Sequence, residues 1–417
     1  MKLDKLLERL DYTVVQGSDS TEVTTLINDS RKVEEGSVFV CISGAVSDGH
    51  KYAADVAAKG AAAVVVEKDV EVPENVTVIK GEDTRYALAL MSAAYFGYPA
   101  DKMKVIGITG TKGKTTTTYM IKSILEETGH KVGLIGTIEA IIGDKKIPSC
   151  NTTPESYTIH KYFAEMVEAG CDCVVMEVSS QGLMLHRTAG IPFEIGIFTN
   201  LGRDHIGPKE HKDMEEYAHY KSLLFQKCCF GIGNIDDPYY REIFKDASCQ
   251  VCTYSCRQKA DVQASDIMLV NRNGQLGTFF KVNGEEYAVS APGEFSVYNA
   301  VAAITVCRHY GIDQEIIRKA LKTIRVPGRV EVIDNDRGYL LLIDYAHNAM
   351  SLKNILETMR RYHPRQLWVL FGCGGGRSAA RRREMGCVAG KYADFTVITS
   401  DNPRYEEPER IMQTIEE

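Results

Sequence analysis

The stretch GITGTKGKTTTTYM, residues 107–120, constrains the fold of this chain more than any other part of its sequence. An apolar run typical of a strand, residues 104–108, leads into a glycine-rich turn, and apolar residues then recur at helical spacing from Met120 to Leu125. In such a unit, backbone N–H groups and the positive end of the helix dipole converge on an anion. A lysine adds a point charge, and a threonine hydroxyl can hold magnesium. The stretch therefore predicts a strand–loop–helix unit that binds a nucleoside triphosphate.

The spacing of this loop is shorter than the common phosphate-loop pattern, because only two residues separate Gly110 from Gly113. The alternative interpretation is a glycine turn before an ordinary helix, which the order glycine, lysine, threonine after a strand disfavours. Gly129 offers a stop for the helix, and residues 131–136 predict the next strand.

Composition limits the classes of protein to which the chain can belong. At 417 residues it is too long for one ordinary core, and its net charge of −7 argues against general binding to nucleic acid or to a membrane surface. No apolar run is long enough to cross a bilayer, and the first twelve residues predict an amphipathic helix instead of a signal peptide. Twelve cysteines without a secretion signal predict reduced thiols. We therefore expect a cytoplasmic protein with neither nucleic-acid nor membrane partners.

A cluster of cysteines, CQVCTYSC, raises the possibility of a metal site at Cys249, Cys252 and Cys256. A structural zinc site needs a clear fourth ligand, whereas this run alternates like a strand. Cysteine mostly behaves as a small buried hydrophobic residue. Metal binding here stays open as the less favoured interpretation.

Three regions of the chain differ in character, and we predict domains at 1–100, 101–324 and 325–417. Short strands alternate with helices in the first region, and the second carries the phosphate loop and a hairpin around Asn283-Gly284. The third has strands in YLLLIDYA, LWVLFGCGG and FTVITSDNPR, each ending in a polar or glycine-rich loop, and the last of them is predicted to be buried. This alternation predicts an α/β fold. Ligands of open α/β sheets lie at the carboxyl ends of strands, so chemistry is expected there.

Polar side chains follow several of these strands directly. Glu177 and Ser179 end one apolar run, Asp204 and His205 follow the next, and Lys221 lies in a helical stretch. Each of them has an ordinary structural explanation when taken singly. A carboxylate and an imidazole that face a phosphate loop would nevertheless suit Mg²⁺, which takes few protein ligands and shares phosphate oxygens.

Motifs along nearly the whole chain resemble the Mur ligase family, the ATP-dependent amide-forming enzymes of peptidoglycan precursor synthesis. They are NDSRKVEEGSVFVCISG, GTKGKTT, NTTPE, EVSS, FTNLGRDH, YKSLLF, PGRVEV, DYAHN, FGCGGGR and SDNPR. The resemblance implies three α/β domains: an N-terminal UDP-binding domain, a central P-loop-type ATPase domain with a mostly parallel sheet, and a C-terminal Rossmann-like domain.

The resemblance also implies roles for individual residues. ATP would be bound by Gly110, Thr111, Lys112, Gly113, Lys114, Thr115, Thr116, Asn299, Arg329, Asp344 and His347. Magnesium would be held by Thr115, Glu177, His205 and Lys221, with Lys221 carbamylated to N6-carboxylysine. Catalysis would rest on Lys114, Glu177, His205 and Lys221. The UDP-sugar peptide would contact Ser30, Asn151, Thr152, Thr153, Ser179 and Arg187, and the incoming amino acid Arg377, Asp401, Asn402 and Arg404.

Within the family, NTTP and DNPR resemble the enzymes that act on UDP-N-acetylmuramoyl-L-alanyl-D-glutamate. The implied reaction adds meso-diaminopimelate through an acyl phosphate and releases ADP and phosphate, with the enzyme expected to be a monomer. L-Lysine or another amine as third substrate, a non-catalytic homologue and an ordinary P-loop NTPase are the alternatives.

The sequence departs from the family pattern mainly around the third substrate. Lys112 replaces a usual asparagine, Gln181 a histidine and Leu185 a glutamine, and the aspartates usual after the glycines of FGCGGGR are missing. The family continues beyond DNPR to a segment that helps to close on the amino acid. The third domain is therefore expected to be incomplete in this sequence.

Overall fold

The structure is a computed structural model that describes residues 1–44, 47–207, 210–272, 275–333, 336–376 and 378–417. The chain divides into two compact units, Met1–Thr253 and Tyr254–Glu417. Helices and strands alternate in both, which confirms the predicted α/β fold class. The three domain boundaries predicted from the sequence stay predictions. In the described ranges, no helix is both long and apolar enough to cross a bilayer.

The first unit alternates short strands with helices. Its strands are β1 (Thr13–Gln16), β2 (Leu26–Ile27), β3 (Val38–Val40), β4 (Ala63–Val66), β5 (Thr77–Lys80), β6 (Lys104–Thr109), β7 (Val132–Ile135), β8 (Glu139–Ile142), β9 (Lys145–Pro148), β10 (Cys173–Glu177), β11 (Phe193–Phe198) and β12 (Cys228–Asn234). Its helices are α1 (Leu3–Leu7), α2 (Ala53–Ala58), α3 (Thr84–Tyr95), α4 (Lys114–Glu127), α5 (Ser156–Glu168), α6 (Ser180–Met184), α7 (Met214–Ser222) and α8 (Tyr240–Ile243).

Two sheets organise this unit. The first has the order β1-β5-β4-β3-β2 and is parallel apart from β1. The second includes the order β12-β11-β6-β10-β7-β8-β9, with parallel strands from β12 to β7 and antiparallel strands at β8 and β9. Parallel strands buried on both faces are near-continuous apolar runs, and β6, β10 and β11 follow this rule.

The register of these central strands brings their carboxyl ends to one edge. Glu177 of β10 lies opposite Ile108 of β6, and Phe198 of β11 lies opposite Thr109. The residues that follow each strand, at 110, 178 and 199, therefore emerge side by side. This edge positions the candidate site.

The second unit begins inside β13 (Gln250–Ser255), whose last two residues pair with the start of β14. Its further strands are β14 (Val262–Arg272), β15 (Gln275–Val282), β16 (Glu285–Val289), β17 (Glu331–Ile333), β18 (Leu341–Ile343), β19 (Trp368–Phe371) and β20 (Phe395–Ile398). Its helices are α9 (Glu294–His309), α10 (Gln314–Thr323), α11 (Ala349–Arg360), α12 (Ala379–Tyr392) and α13 (Pro408–Glu416).

The predicted hairpin is confirmed. Strands β15 and β16 pair with Val282 opposite Glu285, so Asn283 and Gly284 form a two-residue turn. Both have positive φ, 51° and 89°, as a type I′ turn requires.

The cysteine cluster lies around β13, as its alternation predicted. Cys252 is in the strand, Cys249 precedes it and Cys256 follows it. All twelve cysteines belong to the described part of the chain, and none of them forms a disulfide.

The apolar segments of the third region form strands, but not buried ones throughout. Strand β19 pairs in parallel with β20, with Trp368 opposite Phe395 and Leu370 opposite Val397. These four side chains are exposed, by 60% for Trp368 and 69% for Leu370. The other face of the pair contributes Phe371 to a core with helices α11 to α13. The prediction of a buried strand in FTVITSDNPR was therefore wrong for the face that carries Phe395 and Val397.

Candidate nucleotide and ligation site

Two glycines shape the loop between β6 and α4. Gly110 has φ +143°, and a Cβ atom there would lie 1.9 Å from Thr199 Oγ1. Gly113 has φ +88° and is the N-cap of α4. Glycine is the residue that tolerates both the close approach and the positive φ. The loop therefore presents backbone N–H groups at a helix N-terminus, as predicted from the sequence.

The segment that follows β11 holds this loop by its backbone. Thr111 N donates to Asn200 O at 2.8 Å, and Lys112 N donates to Asn200 Oδ1 at 2.9 Å. Lys112 O accepts from Asn200 Nδ2 at 3.0 Å and from Thr199 Oγ1 at 2.7 Å. The phosphate loop is thus fixed by a strand end about ninety residues away in sequence.

Two lysine side-chain nitrogens converge on the same carbonyl of the loop. Lys114 Nζ donates to Gly110 O at 2.7 Å and to Thr111 O at 3.2 Å, and Lys221 Nζ donates to Gly110 O at 3.1 Å. Lys221 is buried and lies 4.4 Å from the ring centroid of Tyr217. Burial, and then the charge of Lys114, holds the pKa of Lys221 well below its usual value. A neutral amine is therefore favoured at this position.

Glu177 is buried at the carboxyl end of β10, and its carboxylate is held by one residue. Its Oε1 accepts from Thr137 N at 2.8 Å and its Oε2 from Thr137 Oγ1 at 2.9 Å. Thr137 Oγ1 also contacts Thr152 Oγ1 at 3.0 Å. Sequence reasoning missed Thr137, although it is the second residue after β7 and the strand-end rule that selected Glu177 could have found it.

Three of the predicted substrate-binding residues form one hydrogen-bonded group beside Glu177. Thr153 Oγ1 donates to Glu177 O at 3.0 Å and accepts from Ser179 N at 2.9 Å. Arg187 Nη1 donates to Thr153 O at 2.9 Å, and its Nη2 lies 2.5 Å from Glu155 Oε1. Thr153, Ser179 and Arg187 therefore belong to the same edge of the sheet as the phosphate loop.

Two histidines lie near Tyr217, and only one of them was predicted. The His205 side chain is 51% exposed, and its Nδ1 lies 3.0 Å from Glu210 Oε1. His211, which no sequence signal selected, is fully buried, with its Nε2 2.8 Å from Ser180 Oγ. Its pKa is lowered by burial, so the neutral ring is favoured.

The fit of these groups to magnesium is partial. Thr115 is buried in the first turn of α4, and it and Glu177 offer the oxygen atoms that Mg²⁺ prefers. A lysine ammonium would repel the cation, whereas a carbamate on the Lys221 nitrogen would supply an anionic oxygen. Across the described ranges, no group of three or more His, Cys, Asp or Glu side chains forms a ready metal site.

A cavity of about 530 Å³ lies elsewhere in the first unit and includes Ser30 in its wall. Arg31, Lys32 and Arg85 bring three cations to the wall and Asp29 and Glu155 bring two carboxylates, so its charged groups are net positive by one. The backbone carbonyl of Ser30 accepts from Lys59 Nζ at 2.9 Å. Of the remaining predicted substrate contacts, Thr152 is half-buried beside Thr137 and Asn151 is exposed.

In the second unit, a strained turn precedes β17. Val330 has φ +49°, which is unfavourable for a β-branched residue, and its N–H donates to Asp344 Oδ2 at 2.9 Å. The guanidinium of Arg329 lies 4.3 Å from the ring centroid of Tyr345, and that ring is 5.0 Å from His347. Asp344, Arg329 and His347 thus lie together within this unit. Asn299 is buried on α9.

A second glycine-rich loop, residues 372–376, connects β19 to α12 and packs against the segment after β20. Gly375 N donates to Asn402 O at 2.8 Å, and Gly376 N donates to Glu406 Oε1 at 2.5 Å. Asp401 and Arg404 are exposed beside it. Arg377 lies outside the described residues.

Comparison with known proteins decides the family. The model of the Mur ligase middle domain matches residues 108–307, that of the Mur ligase family catalytic domain 22–96, and that of the Mur ligase glutamate ligase domain 328–417. UDP-N-acetylmuramoyl-L-alanyl-D-glutamate--2,6-diaminopimelate ligase of Clostridium perfringens is 44% identical over 425 residues, covering 100% of this chain and 87% of the relative. The chain belongs to the Mur ligase family.

Other members of the Mur ligase family agree with this assignment. The enzyme of the same name from Clostridium tetani is 42% identical over 421 residues, covering 100% of this chain and 86% of the relative. A solved structure titled as UDP-N-acetylmuramoyl-L-alanyl-D-glutamate--2,6-diaminopimelate ligase has a TM-score of 0.75 at 27% identity and covers 100% of this chain and 86% of its own. A MurF ligase from Thermotoga maritima in complex with ADP has a TM-score of 0.63 at 19% identity over 95% of this chain and 87% of its own. The last likeness concerns the fold alone.

Proposed function

We propose that this Mur ligase joins meso-diaminopimelate to UDP-N-acetylmuramoyl-L-alanyl-D-glutamate at the expense of ATP. The observation that carries the proposal is the fixed glycine loop with the side-chain nitrogens of Lys114 and Lys221 on its Gly110 carbonyl. The relatives that are 42–44% identical over the whole chain are named for this reaction. We further propose that the enzyme works in the cytoplasm, as a monomer.

The chemistry begins with a carboxylate, which is a poor acyl donor. The γ-phosphoryl group of ATP passes to a carboxylate oxygen of the D-glutamyl residue, and ADP leaves. The amine of the incoming amino acid then attacks the acyl carbon, the amide bond forms and inorganic phosphate leaves. In such a transfer the protein mainly positions groups and stabilises charge, which suits Lys114 and the N–H groups of residues 110–116. Asn299, Arg329, Asp344 and His347 are proposed further nucleotide contacts.

We propose that the side chain of Lys221 is covalently modified. Its neutral amine can add to carbon dioxide: the N–C bond forms, one proton leaves and a carbamate replaces the amine. A buried ammonium next to Lys114 is unfavourable, whereas the carbamate is an anion beside a cation. Magnesium, when bound, would neutralise phosphate charge; Thr115, Glu177 and carbamylated Lys221 are its proposed ligands, together with His205.

The two other substrates have proposed places of their own. The positively charged cavity around Ser30 suits the diphosphate and sugar of the UDP substrate, whose peptide end would reach Thr152, Thr153, Ser179, Arg187 and Asn151. Asp401, Asn402, Arg404 and Arg377 are proposed for the amino acid. Meso-diaminopimelate carries a second carboxylate that arginine can bind in bidentate fashion, and lysine lacks it.

The test is direct analysis of the products. The chain is incubated with ATP, Mg²⁺ and UDP-N-acetylmuramoyl-dipeptide, and with meso-diaminopimelate, L-lysine or no amino acid. Mass spectrometry identifies the nucleotide product, and phosphate release is measured in parallel. We expect product and phosphate with meso-diaminopimelate, about ten- to a hundredfold less with lysine, and none with Lys114→Ala.

The alternatives predict other results. Equal use of lysine would contradict the proposed selectivity, and phosphate release that requires neither other substrate would indicate a simple NTPase. The absence of both product and phosphate would indicate a non-catalytic homologue.

A further inference from the structure

One lysine of the glycine loop at residues 110–113 is paired with a carboxylate of the segment that follows β11. Lys112 Nζ donates to Asp204 Oδ2 at 3.2 Å. The two side chains are 31% and 15% exposed, so water reaches the pair only partly. Both residues belong to the edge of the sheet at which the loop ends.

The backbone of Lys112 is fixed by hydrogen bonds, whereas its side chain can move without breaking the loop. Its N–H and its carbonyl are both bonded to Asn200, and Thr199 donates to the same carbonyl. Thr111 Oγ1 accepts from Gly202 N at 3.0 Å, which ties the loop to the segment that carries Asp204. The four-carbon stem of lysine, in contrast, is flexible and carries three donors on its ammonium group.

The balance of charge favours an exchange of partner. Lys112 lies in the four-residue loop, and the Lys114 ammonium bonds to its Gly110 carbonyl, so two cations are available there for a phosphate. A partly exposed ion pair contributes little, because its Coulomb attraction is screened by water. A nucleotide phosphate brings more than one negative charge and several strong acceptor oxygens to the same loop.

We infer that Asp204 is the resting partner of Lys112 and that nucleotide phosphates displace it. On this view, the Lys112 ammonium leaves Asp204 and bonds to phosphate oxygen when a nucleoside di- or triphosphate binds. Asp204 is then released from Lys112. The inference rests on the proposed nucleotide site and adds to it a mobile cation with a competing carboxylate.

The exchange predicts that the two partners have opposite effects on affinity. Lys112→Met removes the ammonium but keeps the apolar stem, and should weaken ADP binding about tenfold. Asp204→Asn removes the competitor, and should tighten ADP binding about two- to fivefold. The double variant should bind ADP as Lys112→Met does. Without the Lys112 ammonium there is no cation for which Asp204 competes, so the loss of its carboxylate should have no further effect.

Calorimetric titration with ADP, AMP and adenosine measures these effects. The change with Lys112→Met should be largest for ADP and absent for adenosine, and the salt dependence of ADP binding should become less steep. Lys122→Met is the matched control, because Lys122 lies on α4, the helix that follows the loop, and pairs with Glu126 away from the loop. It should bind ADP like the unmodified chain, and circular dichroism checks that each variant is folded.

A merely structural ion pair predicts a different pattern. In that case Asp204→Asn and Lys112→Met would both weaken the binding of ADP, and the binding of adenosine would be weakened as well. This result would overturn the inference while leaving the nucleotide site in place. If the unmodified chain failed to bind ADP at all, the proposed function would fall together with the inference.

Discussion

In two places in the molecule, a glycine-rich loop connects a strand to a helix. The two loops differ in the side chains that bond to them. The loop at residues 110–113 has the side-chain nitrogens of Lys114 and Lys221 on its Gly110 carbonyl. The loop at residues 372–376 already holds a carboxylate of its own chain: Glu406 accepts from Gly376 N and, at 2.9 Å, from both terminal nitrogens of Arg382. A similar local pattern therefore accompanies a proposed nucleotide site in one unit and a structural contact within the chain in the other.

The strands that precede the two loops also differ, in how deeply their side chains are buried. Ile106 and Ile108 of β6 are completely buried, whereas Leu370 of β19 is 69% exposed. A loop whose supporting strand is packed on both faces keeps its backbone in place when a ligand binds. The comparison teaches that the glycine pattern alone does not identify a phosphate site; packing and charge balance do.

The largest effect is expected at Gly110. In Gly110→Ala the new Cβ would meet Thr199 Oγ1 at 1.9 Å, so the loop must shift, and ADP affinity should fall at least a hundredfold. The matched control is Gly129→Ala, where φ is also positive but nothing lies within 4 Å; it should cost about 1–2 kcal/mol of stability and leave ADP binding unchanged. In the second unit, Gly376→Ala meets only the end of the flexible Arg404 side chain, and should also spare ADP binding. Unchanged affinity in Gly110→Ala would contradict the proposed role of the loop.

A smaller difference is expected between the two supporting strands. Ile108→Ala removes a fully buried side chain and should reduce the free energy of unfolding by about 2–5 kcal/mol. Leu370→Ala should change it by less than about 1 kcal/mol, because the side chain is already in water. Trp368 is the only tryptophan in the chain, so its fluorescence follows urea unfolding of the second unit, while hydrogen exchange follows the first. A large cost for Leu370→Ala would mean that this face is covered in solution.

The smallest expected effect is a dependence of folding stability on pH that arises in the first unit. His160 is buried on α5, and burial lowers its pKa from 6.5 to about 4. Between these values the unfolded chain binds a proton that the folded chain excludes, so stability should fall as pH decreases from about 6.5 to 4. The loss should reach about 3 kcal/mol at most. His160→Leu should lose this part of the acid response and keep the part that belongs to buried His211, whereas the control His309→Gln, on the exposed side of α9 in the second unit, should keep the whole response. An equal acid response in His160→Leu would assign the effect to other groups.

Local sequence determined the elements whose signals are short-range. Gly110, Gly113 and the helical periodicity from Met120 to Leu125 predicted the phosphate loop and α4, and Asn283-Gly284 predicted the hairpin turn. Their backbone conformations depend on positive φ and on neighbouring residues, which the sequence shows directly. The family resemblance then supplied the expected fold, because many ordered motifs span the chain.

Only the tertiary structure decided which distant groups meet. Thr137 holds Glu177, Ser180 meets His211 and Asp204 pairs with Lys112, at sequence separations of 40, 31 and 92 residues. No periodicity encodes such pairs, because they depend on strand order and register. Strand burial was undecided for the same reason: LWVLF and FTVI are as apolar as a buried strand, yet one face of β19 and β20 is exposed. A side chain's burial depends on what packs against it, and the strand's own sequence does not contain that information.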